Sequence, residues 1–326
     1  MAESLHARSS LLAIAALSLV ACGSDEMAPP PSSVATATPT PSPTPTPTPT
    51  PTAADFNLIS DIQYTTAATE TGTVDLFLDI YQPEETCDTP RPTIFYVHGG
   101  GFRFGDKADD IVEALAPRIT EQGINFVSIN YRVLGDRPVL TAEFEEVAQA
   151  YADEGLLDPN GDLFTTIIAS IEDGVTALNW MEENASTYCL DMSNLGYWGS
   201  SAGTVITAQI AYSLNQYEIE RPEPVFVNAW WGEVFRISDL EMGEAPFLIL
   251  HGDQDEVADY QSSVNLAAQA EIVAVPFAFY TLLDTEHGFD TNAQQQTSTG
   301  FDASVDFAVA QLTGGVPIYG RFDIPK

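Results

Sequence analysis

Beyond residue 55 the chain alternates short apolar runs with longer stretches that space their apolar residues three and four apart. Runs of strand length and β-rich composition fall at 57–65, 74–82, 93–98, 124–131, 194–199, 225–230, 246–251 and 276–283. Helix-compatible stretches lie near 107–121, 165–184, 202–214, 257–272 and 300–312, and they alternate with the later runs. Strand–helix alternation predicts an α/β domain with a mostly parallel, eight-stranded sheet and helices on both faces. Residues 55–326 suit one such domain with a sizeable core, and no internal repeat is evident.

The pattern before that domain is different. Arg8 precedes an apolar stretch, Leu11–Val20, that is too short to span a bilayer, so residues 1–21 read as a secretion leader. Leu19-Val20-Ala21-Cys22 then has the form of a bacterial lipobox, which makes Cys22 a candidate for lipidation; plain cleavage after Ala21 is the alternative. Residues 22–54 join this cysteine to the domain, with Thr-Pro alternation from Thr38 to Thr52. Such a segment buries no core and forms an extended polyproline II spacer, spanning roughly 75 Å at about 3.1 Å per residue. Reach toward bulky substrate and a simple tether explain it equally well. Gly23, where an aspartate would mark inner-membrane retention, favours an outer-membrane, periplasmic or cell-surface address, with secretion the other possibility.

The chemistry concentrates at Tyr197-Trp198-Gly199-Ser200-Ser201-Ala202-Gly203, an apolar strand running into a sharp turn and then a helix. Glycines two residues either side of Ser201 suit a turn where any side chain would strike a neighbouring element. A serine hydroxyl needs a base to take its proton and an acid to orient that base. On such an elbow the chain order is serine, acid, histidine. Of His98, His251 and His287, the first precedes the serine, and the second closes a strand-like run. His287 is therefore the expected base. Asp253 and Asp255 both follow the strand at 246–251. Asp255 is preferred because the His251-Gly252-Asp253 bend employs the first aspartate as a turn cap.

A third element is Thr93–Val97 followed by His98-Gly99-Gly100-Gly101-Phe102. Its glycines allow backbone N–H groups to approach a developing oxyanion, with each such donor contributing about 3 kcal/mol in acyl transfer. Gly100 and Gly101 are the expected donors here, joined by the N–H of Ala202, while His98 braces the loop. Neither a Walker lysine-serine pair nor a spaced GxGxxG accompanies these glycines, which argues against a phosphate loop.

Taken together, the chain resembles the α/β-hydrolase superfamily, in particular its His-Gly-Gly-Gly carboxylesterases, which include hormone-sensitive-lipase-like and bacterial feruloyl-esterase-like enzymes. The resemblance rests on Leu78-Asp79-Ile80-Tyr81-x-Pro83, His98–Phe102, Asn130-Tyr131-Arg132, Glu172-Asp173, Gly199–Gly203, His251-Gly252-x-x-Asp255 and His287-Gly288-Phe289, in that order. It covers residues 74–310 and implies a Ser-His-Asp ester hydrolase that needs neither metal nor organic cofactor. Departures are Ala258-Asp259 in place of a proline, Thr204 in place of a second glycine, and a long connection over 133–170. In the family's sheet the strands after Cys87 and Cys189 are neighbours, so the resemblance implies a Cys87–Cys189 disulfide in an oxidising compartment.

The formal charge is −36, and removal of residues 1–21 takes one basic and one acidic residue and leaves it unchanged. Nucleic acid, which asks for a basic patch, is thus an unsuitable partner, and attachment to an anionic bilayer has to come from lipid. The expected partner is a small or polymer-attached ester. Residues 202–245 leave no room for a large lid, so 133–164 is the candidate cover. Asp158-x-Asn160-x-Asp162 has the start of a calcium loop, but Leu163 and Ala169 stand where glycine and glutamate are needed. Trp230 or Trp231, with Phe102 opposite, is expected to line a pocket for short acyl, aryl or feruloyl esters, although both tryptophans would equally serve as core. A serine peptidase of this fold, usually accompanied by a propeller domain, and a non-catalytic binding module are the competing readings.

Overall fold

A computed structural model of the chain describes residues 56–84 and 87–326. The leader, Cys22 and the linker to residue 54 lie outside the described residues. Nine strands form one sheet: β1 (Phe56–Thr69), β2 (Gly72–Pro83), β3 (Arg91–Val97), β4 (Asn125–Ile129), β5 (Leu190–Ser200), β6 (Phe226–Trp230), β7 (Phe247–Gly252), β8 (Phe277–Leu282) and β9 (Gly320–Ile324). Their spatial order is β1-β2-β4-β3-β5-β6-β7-β8-β9. The β1–β2 and β2–β4 pairs are antiparallel and every later pair is parallel.

The helices are α1 (Asp110–Thr120), α2 (Ala142–Asp153), α3 (Phe164–Glu183), the short α4 (Ala185–Tyr188), α5 (Ala202–Tyr212), α6 (Tyr260–Val273) and α7 (Gln294–Thr313). Two apolar layers sandwich the sheet. Phe95, Val97, Val127, Phe247 and Ile249 face one layer with residues of α2, α3, α5 and α6. Ile94, Tyr96, Phe126, Leu248 and Leu250 face the other, with α1 and α7. This period-two alternation with both faces buried is why the central strands are nearly continuous apolar runs.

Two elements differ from the sequence reading. The sheet has nine strands because β9 adds to β8 in parallel at the edge. Only Ile324 of its five residues is buried, so its apolar signal is weak. The expected cover over 133–164 contains α2, whose Phe144, Val147, Ala148 and Tyr151 are buried in the core. Those four stand at i, i+3, i+4 and i+7, a helical stripe hidden among acidic neighbours.

The Arg132 and Asp173 positions of the resemblance are structural. The Arg132 guanidinium, 2 % exposed, bonds Asp173 at 2.9 Å and Glu172 at 2.9 Å, and also reaches the carbonyls of Ala68 and Val139. It pins β1 and the chain after β4 onto α3. Cys87 and Cys189 are joined in a disulfide with Cα atoms 6.1 Å apart, tying the start of β5 to the segment before β3. The bond closes a separation of 102 residues, and loops near that length lose about 4.7 kcal/mol of unfolded-state entropy in the chain model, with about 2–4 kcal/mol usually realised. Cys189→Ser is therefore expected to lower the unfolding free energy by about 2–4 kcal/mol, read as a fall in the chemical-denaturation midpoint; reductant should destabilise the parent protein equally and leave the variant unmoved.

Candidate active site

Strands β5, β7 and β8 lie side by side with only β6 intervening, and their carboxyl ends all open on one edge of the sheet. In open parallel sheets that edge is where loops gather ligand-facing groups. Ser201 follows β5, Asp255 follows β7 and His287 follows β8.

Ser201 holds φ 52° and ψ −118°, a conformation costly for any residue with a side chain. It survives because the surroundings leave no alternative. A Cβ on Gly203 would stand 2.0 Å from the Val97 carbonyl oxygen, and one on Gly199 would meet the Gly203 carbonyl at 2.3 Å. The glycines thus let β5, α5 and the end of β3 close together under the serine. Its backbone N–H donates to the Trp230 carbonyl at 2.9 Å. Thr204, where a second glycine was expected, donates its hydroxyl to the carbonyls of Gly199 and Trp230, both at 2.8 Å, and so stitches the elbow to β6.

Above the elbow, His287 Nε2 lies 2.9 Å from Ser201 Oγ, and His287 Nδ1 lies 2.7 Å from Asp255 Oδ2. An ionised carboxylate can only accept, so Nδ1 carries the proton and Nε2 is free to accept the serine hydroxyl. Asp255 Oδ1 accepts the N–H groups of Val257 and Ala258 at 2.8 and 2.9 Å. Burial works against its charge, but donors from His251, Ala258, His287 and Val257 outweigh it and hold the carboxyl well below the usual carboxylate range. With a depressed folded-state value, the ionised group adds stability above its unfolded pKa and loses it only as pH falls through the folded one. Asp253 does not cap its own bend as expected: its Oδ1 instead accepts the Thr285 N–H at 3.4 Å, across to the loop after β8.

The glycine loop after β3 lies against the elbow. A Cβ on Gly99 would be 3.2 Å from Ser201 Cβ. Gly100, Gly101 and Phe102 have φ values of 115°, 58° and 60°, so the chain curls tightly, and the Arg103 N–H closes the turn onto the Gly100 carbonyl at 3.1 Å. Among the described residues the N–H groups of Gly100, Gly101 and Ala202 donate to no protein acceptor. The last of them opens α5, whose amino end carries the positive pole of the helix dipole. His98 Nδ1 meets the Gly99 carbonyl at 2.6 Å, its ring stacks on Tyr131, and burial pushes its imidazole pKa down. A neutral, buried imidazole in that position braces the loop.

The aromatic residues expected in the pocket are elsewhere. Trp230 is fully buried and donates its indole N–H to Ser304 Oγ at 2.9 Å. Trp231 packs on Phe289, just past His287, with centroids 4.8 Å apart. The Phe102 ring is 7 % exposed and belongs to the core, where it anchors the glycine loop. All three support the site from behind: Trp230 faces inward from the end of β6, and the positive φ values at Trp231 and Phe102, 34° and 60°, turn those rings inward as well. Phe104 is the aromatic residue at this loop that faces solvent: it is 70 % exposed, and its ring edge lies 3.3 Å from where a Gly100 Cβ would stand. Its place beside the glycines was readable, but not its exposure. Asp158 Oδ1 accepts the Asn160 N–H in a local turn. That turn borders a groove of about 330 Å³ shared by Arg103, Leu157, Leu163, Phe164 and Ile167. His287 lines another cavity, of about 310 Å³, with Glu286, Phe289 and Lys326. A larger cavity, about 930 Å³, is bounded by Glu182, Glu183, Glu218 and Arg221 and includes none of these site residues.

His251, set aside in sequence as a base, has a part at the site that the sequence did not disclose. It is fully buried at the end of β7, with Nε2 3.0 Å from Asp255 Oδ2 and 3.1 Å from the Ala258 carbonyl, and Nδ1 2.7 Å from Ser263 Oγ. Its four-residue spacing from Asp255 was visible, but only the tight turn after β7 brings the two together.

The BD-FAE family model matches residues 78–151. Gut esterase 1 of Caenorhabditis briggsae is 30 % identical over 138 residues, covering 42 % of this chain and 21 % of that protein. The acetyl esterase of Salmonella typhi is 25 % identical over 169 residues, covering 51 % and 42 % respectively. The chain thus spans well under half the length of these relatives. A truncated carbohydrate esterase from gut microbiota superposes with TM-score 0.56 at 19 % identity, covering 80 % of this chain and 98 % of that one. Thermogutta terrifontis esterase 2 phosphorylated by paraoxon superposes with TM-score 0.59 at 17 % identity, covering 79 % and 95 %. The parallel sheet, its helical layers and these superpositions agree that the chain has the α/β-hydrolase fold.

Proposed function

We propose that the chain is a serine carboxylic-ester hydrolase working through an acyl-enzyme. The observation that carries this reading is the continuous hydrogen-bonded line Ser201–His287–Asp255, at 2.9 and 2.7 Å, beside three unpaired N–H groups. The similarity to named esterases supports it.

In this mechanism Ser201 Oγ attacks the ester carbonyl carbon while His287 Nε2 takes its proton. Asp255 fixes the imidazole tautomer and stabilises the imidazolium without becoming protonated. The tetrahedral oxyanion is met by the N–H groups of Gly100, Gly101 and Ala202, which are already fixed in place and need no reorganisation. Collapse breaks the ester C–O bond, and the imidazolium proton goes to the leaving alcohol. Water, deprotonated by His287, then attacks the acyl-serine, and the carboxylic acid leaves as Ser201 regains its proton. No step calls for a metal or an organic cofactor.

The favoured substrates are short-acyl or aryl esters, including feruloyl-type ones. Phe104 offers an aromatic face at the glycine loop, and the groove that includes Arg103, the residue before it, is at about 330 Å³ at the small end for ligand pockets. The leader and lipobox sequence fit a lipid-anchored envelope protein carried on a proline-rich spacer, and the Cys87–Cys189 disulfide suits such an oxidising compartment.

Ser201→Ala should lower kcat on a short nitrophenyl ester by roughly 10⁴-fold or more with the fold intact, and should abolish labelling by a fluorophosphonate. Retained turnover would discard the mechanism, and faster cleavage of peptide amides than esters in the parent protein would favour a peptidase. Phe104→Ala should raise KM for aryl esters about fivefold, the loss of one aromatic contact, while leaving acetate esters unchanged; equal effects on both would remove Phe104 from the pocket. In cells, labelled palmitate should mark the parent chain and not Cys22→Ser, whereas equal labelling of the two rules out the anchor.

A further inference from the structure

The acid of the proposed relay is shared. Asp255 Oδ2 faces two imidazoles, His287 Nδ1 at 2.7 Å and His251 Nε2 at 3.0 Å. The protonation of His251 follows from its partners. Nε2 meets only acceptors, the carboxylate and the Ala258 carbonyl, so it must carry a hydrogen. Nδ1 meets Ser263 Oγ at 2.7 Å, a hydroxyl able to donate to it. Asp255 therefore receives four donors, two from imidazoles and two from backbone, and its side chain is completely buried.

We infer that His251 is a positioning residue for the Ser201–His287–Asp255 relay, an inference that rests on the esterase reading above. By donating a second hydrogen bond to Oδ2 it helps to fix the carboxylate's orientation. It also draws charge away from that oxygen, which sets how strongly Asp255 holds the His287 imidazolium. Two donors on one oxygen compete. Removing the His251 N–H leaves more of the carboxylate's charge for His287, so His287 keeps its proton to higher pH, and the neutral base needed for attack becomes scarcer near neutrality.

The groups around this network are few. Tyr260 packs edge-on to the His251 ring and is occupied with Thr281. Asp253, Glu256 and Asp259 are on the acid loop, and Asp284, Glu286, Asp290 and Lys326 surround the His287 side. Lys326 is paired with Asp290. None of these contacts Asp255 Oδ2, so the response to a change at His251 runs through the carboxylate.

The test is the pH profile of kcat/KM on a short ester in the folded enzyme. His251→Phe should move the acid limb upward by about 0.5–1 pH unit, the share of a charge-assisted hydrogen bond released to His287. His251→Gln, which restores an N–H donor, should bring the limb back toward the parent value. Ser263→Ala, which frees His251 Nδ1, should shift the limb in the same direction by less. An acid limb unmoved in folded His251→Phe, whatever the loss of rate, would reduce His251 to packing and overturn the inference. Imidazole ¹⁵N spectra of the parent protein decide the matter if that variant does not fold: at neutral pH His251 should show a protonated Nε2, and a bare Nε2 overturns the inference. Because these spectra do not depend on turnover, a failed esterase reading shows itself separately, as activity that survives Ser201→Ala.

Discussion

Everything at this site depends on a serine held in a backbone conformation that it would not adopt alone. A residue at φ 52° and ψ −118° costs about 1–3 kcal/mol, and the surrounding structure has to impose it. Here the end of β3, the end of β5 and the first turn of α5 pack so closely that no Cβ fits at Gly199 or Gly203. Thr204 and the Ser201 N–H both bond the Trp230 carbonyl, which adds β6 to the vice. The same closeness sets the glycine loop against Ser201 and leaves the Ala202 N–H unpaired at a helix start. The geometry needed for nucleophilic attack and the geometry needed for oxyanion binding are thus one packing solution.

The second theme is the control of charge in an acidic molecule. A net charge of −36 leaves most carboxylates solvated at the surface, where they favour solubility and say little about chemistry. Two of the buried ones are treated differently. Asp173 is buried beside Arg132, yet burial pushes its carboxyl up to about 6. Asp255 has an enclosed side chain too, but its donors come from four separate residues, His251, Ala258, His287 and Val257, and they outweigh burial and hold it ionised. Such preorganised donors spare the relay any solvent rearrangement when positive charge appears on His287.

Much of the architecture was legible because central strands with both faces buried read as continuous apolar runs, and long helices carry a clear period. Ser201, His287 and Asp255 could be nominated because the elbow glycines limit one position, while chain order and the three histidines beyond the leader limit the others. Legibility failed where burial is partial or the signal mixed. β9 has one buried residue in five, and α2 conceals its apolar stripe among glutamates. Aromatic composition near the edge of the sheet misled in a different way. Trp230, Trp231 and Phe102 are at the right places in the chain, but sequence carries no record of whether a ring turns toward solvent or into the core.

By itself, then, the sequence determined the fold class, the order of the strands that bear chemistry and the glycines that permit the elbow, because each of these is written in local pattern or short spacing. The tertiary structure decided which imidazole faces the serine, which donors saturate Asp255, and that Phe104, not the tryptophans, meets solvent. Those outcomes depend on distances of about 3 Å between residues that are up to 86 positions apart. Such distances are set by the packing of whole strands and helices against one another, which no stretch of sequence specifies alone.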